Sequence, residues 1–378
     1  MTEPSGSLWR QTLSRRKMLL TALTTLGGAY LAGCGGDEDQ APSPTTTASP
    51  PRPTSMPAAT PSPVAPGRAV WRQIVPSGAL PPPRRDHSLV ADDAGDRLWL
   101  FGGRASGQAL NDLWLYDVQQ SAWSRVTVDG QTPDARFGHN AVFDIPGQQM
   151  VVFGGQKEGD FFADVWAFDV AGGAWSRIAG EGEGPAARYG AGADIDPADG
   201  VIYLSHGFTH DGRFDDTWAF GLSSHQWQEQ SPSSGLRPVK RCLMRIAFDP
   251  ERRRLILFAG QTDGTPFLGD LWQFDTGERQ WSELPDVGPS PRNLYSMPRA
   301  GDGPLLVLFG GDTEAGVNDE LWLYDLQQDV WLQPESQDGA PSARRSHDAV
   351  WLSSGSMLLF GGDDGGSEVN DLWELTLL

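Results

Sequence analysis

Cysteine is nearly absent. The 378-residue chain has only Cys34 and Cys242, so a disulfide framework is excluded. Basic residues are in the minority, 29 Lys and Arg against 49 Asp and Glu, for a net charge of −20. An acidic surface repels phosphate backbones, so no nucleic-acid partner is expected. No apolar stretch is obviously long enough to cross a membrane. Met18–Ala32 is about fifteen residues, short of the roughly 20 a spanning helix needs. Unbroken helix-forming sequence is scarce as well, because 46 glycines and 29 prolines punctuate the chain. Hydrophobic residues make up 39%, low for a globular protein, but 15 tryptophans and 16 phenylalanines offset this. Each large ring buries more area than an aliphatic side chain. The length allows one large β domain or two smaller ones.

What is present begins with an address. Residues 14–34 read "SRRKMLLTALTTLGGAYLAGC": a basic start, an apolar middle and a small-residue exit. The first 33 residues carry Arg10, Arg15, Arg16 and Lys17 against Glu3, a balance of +3, which leaves −20 − 3 = −23 for the rest. Arg15-Arg16 followed by Met18-Leu19 resembles a bacterial twin-arginine export signal, although Leu20 stands where that family usually has Lys. Leu31-Ala32-Gly33-Cys34 resembles a lipobox, which implies lipidation of Cys34. Two acyl chains anchor stably, at roughly 0.8 kcal/mol per buried CH2. The expected product is exported and lipid-anchored to a bacterial membrane, facing the periplasm or cell exterior. Residues 35–68 are read as a linker. Its stretch 41–68 has nine prolines and nine Ser/Thr, a composition that builds no core. Extended, the linker reaches roughly 100 Å. The folded domain is expected over 69–378.

The stretch "NDLWLYDVQQSAWSRV" (111–126) has the density of aromatic and acidic groups of an active site, yet "NDELWLYDLQQDVWLQ" appears at 318–333. Tryptophan explains the recurrence. Trp71, Trp123, Trp175, Trp227, Trp281 and Trp331 are spaced by 52, 52, 52, 54 and 50 residues. Trp114, Trp166, Trp218, Trp272, Trp322 and Trp373 form a second series in the same register. Arg84, Arg136, Arg188, Arg241, Arg292 and Arg344 recur too, each shortly after a proline. So does an apolar run closed by a glycine pair, as in "LWLFGG" (98–103) and "MVVFGG" (150–155), degraded in the third copy to "IYLSHG" (202–207). An acidic residue stands two before each second-series tryptophan, at Asp112, Asp164, Asp216, Asp270, Glu320 and Asp371. Repetition makes these residues structural. The aspartates are expected to satisfy turn donors, the tryptophans to pack between repeats, and the arginines to bridge neighbouring repeats through carboxylates.

Each copy holds four short β-type runs; in the second they are 138–144, 149–154, 164–169 and 174–179. Four strands at a period near 50 fit one blade of a propeller. The double glycine, the Tyr/Phe-Asp and the later Trp resemble the kelch repeat over about 69–378. The expected fold is all-β, a single six-bladed kelch-type β-propeller with four-stranded blades. The C-terminal "NDLWELTLL" is only a third strand, and "AVWRQIV" (69–75) carries the missing Trp. The N-terminal strand is therefore expected to complete the last blade and close the ring, removing two sheet edges.

Function is sought where the copies disagree. Kelch resemblance implies that ligands meet two sets of loops at one channel mouth. The first set follows the regular arginine: Arg85, Phe137, Tyr189, Cys242, Asn293 and Arg345. The second follows the glycine pair: Arg104, Gln156, Phe208, Gln261, Asp312 and Asp363. Arg85, Arg104 and Arg345 fall in adjacent blades of a closed ring. They are expected to pair with Asp86, Asp348, Asp363 and Asp364, the alternative being a basic spot for a carboxylate.

His87, His139 and His347 share a repeat position and read as structural. His206 and His210, near Asp211, Asp215 and Asp216, are weak metal candidates, because His-x3-His is a helical spacing and this is a strand-to-loop segment. No cofactor is expected. Resemblance to galactose oxidase would give Tyr189 and Cys242 a crosslink role. The Glu-x3-Asp-x3-His iron motif of plant nitrile-specifier proteins is half matched by Asp211 and Asp215, but Ala219 stands in place of the histidine. N-acetylneuraminate epimerase shares blade number and compartment, yet no catalytic base stands out. The balance favours a monomeric module that binds protein or glycan over an enzyme acting on a sugar.

Overall fold

A computed structural model describes residues 67–92, 95–285 and 287–378. The signal segment 1–34 with Cys34, and the linker up to residue 66, lie outside the described residues. The described residues are all β and contain no α-helix. Arg68, read from sequence as linker, is the first residue of the opening strand.

Six main sheets follow one another along the chain. Sheet 2 shows the pattern. Its strands Asn140–Asp144, Gln149–Phe153, Val165–Asp169 and Ala174–Ala179 lie antiparallel in that spatial order. The second strand carries Met150, Val151, Val152 and Phe153, all buried, because both of its faces meet other sheets. The fourth strand alternates, with Trp175 inward and its neighbours exposed. Asp169 ends the third strand, and its Oδ1 accepts the Ala171 N–H at 2.9 Å. Asp117, Asp275 and Asp325 do the same in other sheets.

Sheets 2, 3 and 4 have four strands, and the expectation of four holds there. Sheet 5 has three: Leu305–Phe309, Leu321–Asp325 and Val330–Leu332. Its inner segment keeps only the bridges Ser296↔Phe309 and Arg299↔Leu306. Pro298 lies between them and donates no N–H, which reduces the ladder to isolated contacts. Sheets 1 and 6 each gain a fifth, short parallel strand at the outer edge, Ser77–Gly78 and Ser336–Asp338. The opening strand Arg68–Ile74 pairs antiparallel with the C-terminal strand Glu368–Leu377, from Ala69↔Leu377 to Ile74↔Leu372.

Between consecutive sheets lies a hydrophobic cluster, including one between sheet 6 and sheet 1 around Leu98, Leu100, Leu358 and Phe360. First-series tryptophans enter these clusters with their rings tilted against the phenylalanine of the preceding sheet: Trp175–Phe101 at 5.1 Å, Trp331–Phe258 at 4.9 Å, Trp71–Phe309 at 4.8 Å and Trp123–Phe360 at 5.1 Å. Such pairs contribute about 0.5–1.5 kcal/mol beyond area burial.

Six backbone hydrogen bonds join the sheets in a cycle. Asp86 N–H donates to Ser346, Ser346 to Leu294, Leu294 to Leu243, Leu243 to Gly190, Gly190 to Gly138, and Gly138 back to Asp86, at 2.8–3.1 Å. All six donors have positive φ, between 55° and 62°. This left-handed turn aims each N–H at the neighbouring repeat.

Candidate functional site at the channel mouth

The repeated polar residues are consumed by the frame. Arg136 is fully buried, and its guanidinium meets Asp164 at 2.8 and 3.1 Å and the Gly154 carbonyl at 3.1 Å. The Trp166 indole N–H completes the carboxylate at 2.7 Å. Arg84–Asp112, Arg188–Asp216, Arg241–Asp270 and Arg344–Asp371 repeat this geometry, and Arg292–Glu320 varies it. These acids belong to the arginine's own sheet. The expectations of interblade bridging, and of Asp112 as a turn former, are corrected accordingly. Neighbouring sheets are joined by the arginine's backbone instead: the Gly103 N–H donates to the Arg136 carbonyl at 2.9 Å. Burial pushes these carboxyls up, but the arginine's hydrogen bonds and charge reverse it, so Asp112, Asp164, Asp216, Asp270, Asp371 and Glu320 lie below the ordinary range.

The regular histidines are buried. His139 Nε2 meets Ser88 Oγ at 2.9 Å and His347 Nε2 meets Ser296 Oγ at 2.9 Å, each pairing with the preceding sheet. Burial, with Arg136 and Arg245 nearby, drives His139 down to about 3, so its ring stays neutral.

The degraded third copy has a packing explanation. Ser205 stands where other copies have phenylalanine, and its Oγ bonds His206 Nδ1 at 2.7 Å and Thr217 Oγ1 at 3.0 Å. Trp281 then donates to Thr217 at 3.2 Å and meets the His206 ring edge-on. His210 instead bonds the Gly159 carbonyl at 2.7 Å on the surface. The two histidines do not converge. Among the described residues no group of three or more His, Cys, Asp or Glu could hold a metal ion. Asp215 faces Arg237 and Lys240.

The two sets of variable residues meet one to one. Arg85↔Arg104, Phe137↔Gln156, Tyr189↔Phe208, Cys242↔Gln261 and Arg345↔Asp363 are antiparallel bridges, and Asn293↔Asp312 extends into a short ladder. One backbone frame thus presents twelve side chains of seven kinds. Arg85, Arg104, Phe137, Gln156, Tyr189 and Arg345 line a cavity of about 450 Å3. The other six do not. Asp363 and Asp312 accept Arg85 and Arg345, at 2.8 and 2.7 Å. Asn293 is buried and donates to the Pro266 carbonyl at 3.0 Å. Cys242 is buried, which pushes its thiol up. Phe208 packs edge-on to Phe161. Gln261 accepts from Asn293 at 3.2 Å.

Of the acids expected to pair with the mouth arginines, only Asp363 does so by direct contact, reaching Arg85 and, at 3.5 Å, Arg345. Glu368 and Asp312 were not anticipated. Asp348 lies deeper and meets Arg245 at 3.3 Å, while Asp364 accepts N–H groups of its own turn. Arg104 has no ion pair among the described residues; its guanidinium lies over Phe137, 5.4 Å from the ring centre.

Asp86, Glu158, Leu294 and Ser346 also line the cavity; Asp86 was named only as a partner for the mouth arginines, and the other three were missed from the sequence. Asp86, Leu294 and Ser346 belong to the left-handed ring, whose only sequence signal is glycine at the equivalent positions 138 and 190. Burial raises the Asp86 carboxyl, against Ser346 and three arginines. Burial likewise raises the Tyr189 phenol, with Asp86 and Cys242 adding to it. The Tyr189 ring fits against Gly138, where a Cβ would overlap it. Beneath the ring, a second cavity of about 50 Å3 is lined by His87, His139, Asn140 and Arg245.

This arrangement of sheets and loops has a match among known families. The KLHDC2/KLHL20/DRC7 Kelch-repeats domain matches residues 65–252 and 231–378. The chain belongs to the kelch-repeat family. This kelch-repeat chain is 27% identical over 296 residues to the Drosophila melanogaster leucine-zipper-like transcriptional regulator 1 homolog, covering 74% of this chain and 29% of that protein. It is 27% identical over 253 residues to Arabidopsis thaliana acyl-CoA-binding domain-containing protein 5, covering 64% and 38%. It is 23% identical over 336 residues to Mei4-dependent protein 6 of Schizosaccharomyces pombe, covering 78% and 48%. The chain spans less than half the length of these relatives.

Proposed function

We propose that the chain is a closed six-bladed kelch propeller, exported and lipid-anchored through Cys34, that binds a protein or glycan at its channel mouth. One observation carries the binding assignment: a single repeated frame of paired strands presents side chains that vary from copy to copy, six of them around one cavity. Packing alone favours the same residue in every copy, as the buried arginines and tryptophans show. The cycle of backbone hydrogen bonds and the pairing of the first strand with the last support the closed ring. The basic leader ending in Leu31-Ala32-Gly33-Cys34 supports the anchor. Family membership supports an interaction module over a catalyst, and no enzymatic step is assigned.

The test uses the full-length chain in detergent on a glycan array and a panel of purified exported proteins. Ligands captured by the parent chain are expected to be lost with Tyr189→Ala and Arg104→Ala together. Capture that survives both substitutions would place binding elsewhere. Cys34→Ala is expected to move the protein from the membrane to the soluble fraction, and continued membrane association would contradict the anchor.

A further inference from the structure

Arg104 differs from the arginines beside it. Arg85 is held by Asp363 and Glu368, and Arg345 by Asp312 and Asp363. Arg104 has no such partner among the described residues, and its Nε is buried without a hydrogen bond. Stacking on Phe137 leaves the edge of the guanidinium for an acceptor. Leaving a buried donor unpaired is costly, so a ligand oxygen there is favoured.

The rest of the cavity has a different preference. Asp86, Glu158, Gln156 and Ser346 line it, and their oxygens can accept hydrogen bonds from hydroxyl groups. Phe137 and Tyr189 meet edge to face at 5.7 Å and form an apolar wall. A bare inorganic anion would leave that wall and these acceptors unused. A ligand suited to all three parts carries one carboxylate, several hydroxyls and a flat C–H face.

We propose that the mouth cavity takes one ring of an acidic sugar of the hexuronate class. Its carboxylate sits on Arg104, its hydroxyls donate to Asp86, Glu158 and Gln156, and its C–H face packs on Tyr189. This rests on the mouth being the ligand surface. A peptide with a free C-terminal carboxylate would satisfy Arg104 but offers few hydroxyls to the acidic side.

Calorimetric titration of the full-length chain in detergent tests this, with glucuronate, galacturonate, glucose and N-acetyl-trialanine as probes. A hexuronate is expected to bind at least tenfold more tightly than glucose. Arg104→Ala should remove that difference with an unchanged melting temperature, and Arg104→Lys should retain part of it. Equal affinity for glucose and both hexuronates, no effect of Arg104→Ala, or tighter binding of the peptide would overturn the proposal. If no hexuronate binds while another captured ligand is lost with Tyr189→Ala, the acidic-sugar assignment fails and the mouth reading stands. If no captured ligand responds to any mouth substitution, the mouth reading itself fails.

Discussion

Arg136 and Arg104 are the same residue type put to opposite uses by their surroundings. Arg136 is fully buried and forks onto Asp164, so each side chain is held by the other. Asp164→Asn would leave a buried guanidinium without its counter-charge. A loss of about 3–5 kcal/mol in urea unfolding is expected. The six acids of this type also set the response to pH. Their folded pKa values are depressed, so their stabilisation is fully present above the unfolded value of about 4 and is lost as pH falls through the folded values. Buried His87, His139, His206 and His347 are also held below their ordinary value, so their stabilisation is lost as pH falls below the unfolded histidine value of about 6.5. Stability should therefore decline from about pH 6.5 downward and more steeply below about pH 4, where the acids add to the loss. An acid titration of the melting temperature that stayed flat to pH 2 would contradict this. Gly138 is the third residue with a sharp expectation. Its φ is 60° and a Cβ would meet the Tyr189 ring. Gly138→Ala should cost about 2–4 kcal/mol from left-handed strain and overpacking, and should displace Tyr189 from the mouth. Denaturant unfolding and Tyr189 ring resonances would report the two effects separately.

Strands were legible in the sequence because their signals are local and repeated. The runs of the second copy differ from the observed strands by at most two residues at an end. What escaped was set by tertiary context. Sheet 5 loses its inner strand because Pro298 has no N–H to give, and sheets 1 and 6 gain edge strands from segments with no strand pattern. The acid before the second tryptophan was read as a turn former because aspartate is common in turns; a partner 28 residues earlier in sequence decides otherwise. At the mouth, the variable positions were legible from the register, and their one-to-one pairing follows from it. Leu294 and Ser346 were not, since left-handed backbone shows in sequence only where glycine supplies it. The opening strand is the most testable element. Val70 pairs with Thr376 on one side and Asp338 on the other. Val70→Pro removes an N–H from a strand flanked on both sides, at a cost of about 1–3 kcal/mol for the orphaned acceptor alone. A melting temperature equal to the parent's would show that this strand does not hold the last sheet.

At the scale of the molecule, labour is divided by repetition. What recurs, the Arg–acid–Trp cluster in every copy and the Trp–Phe contact between neighbouring sheets in all but the third-to-fourth junction, builds the frame. What differs between copies collects on one frame, and half of it lines one cavity. The measurement that tests this division most directly is hydrogen exchange of the full-length chain with and without its captured ligand. Exchange should slow at the mouth turns, at Ser106 to Gln108 and at Glu158 to Asp160, and stay unchanged along the outer strands Ala122–Val126 and Ala174–Ala179. Slowing confined to those outer strands would contradict the account, because it would return the ligand to the repeated tryptophan face.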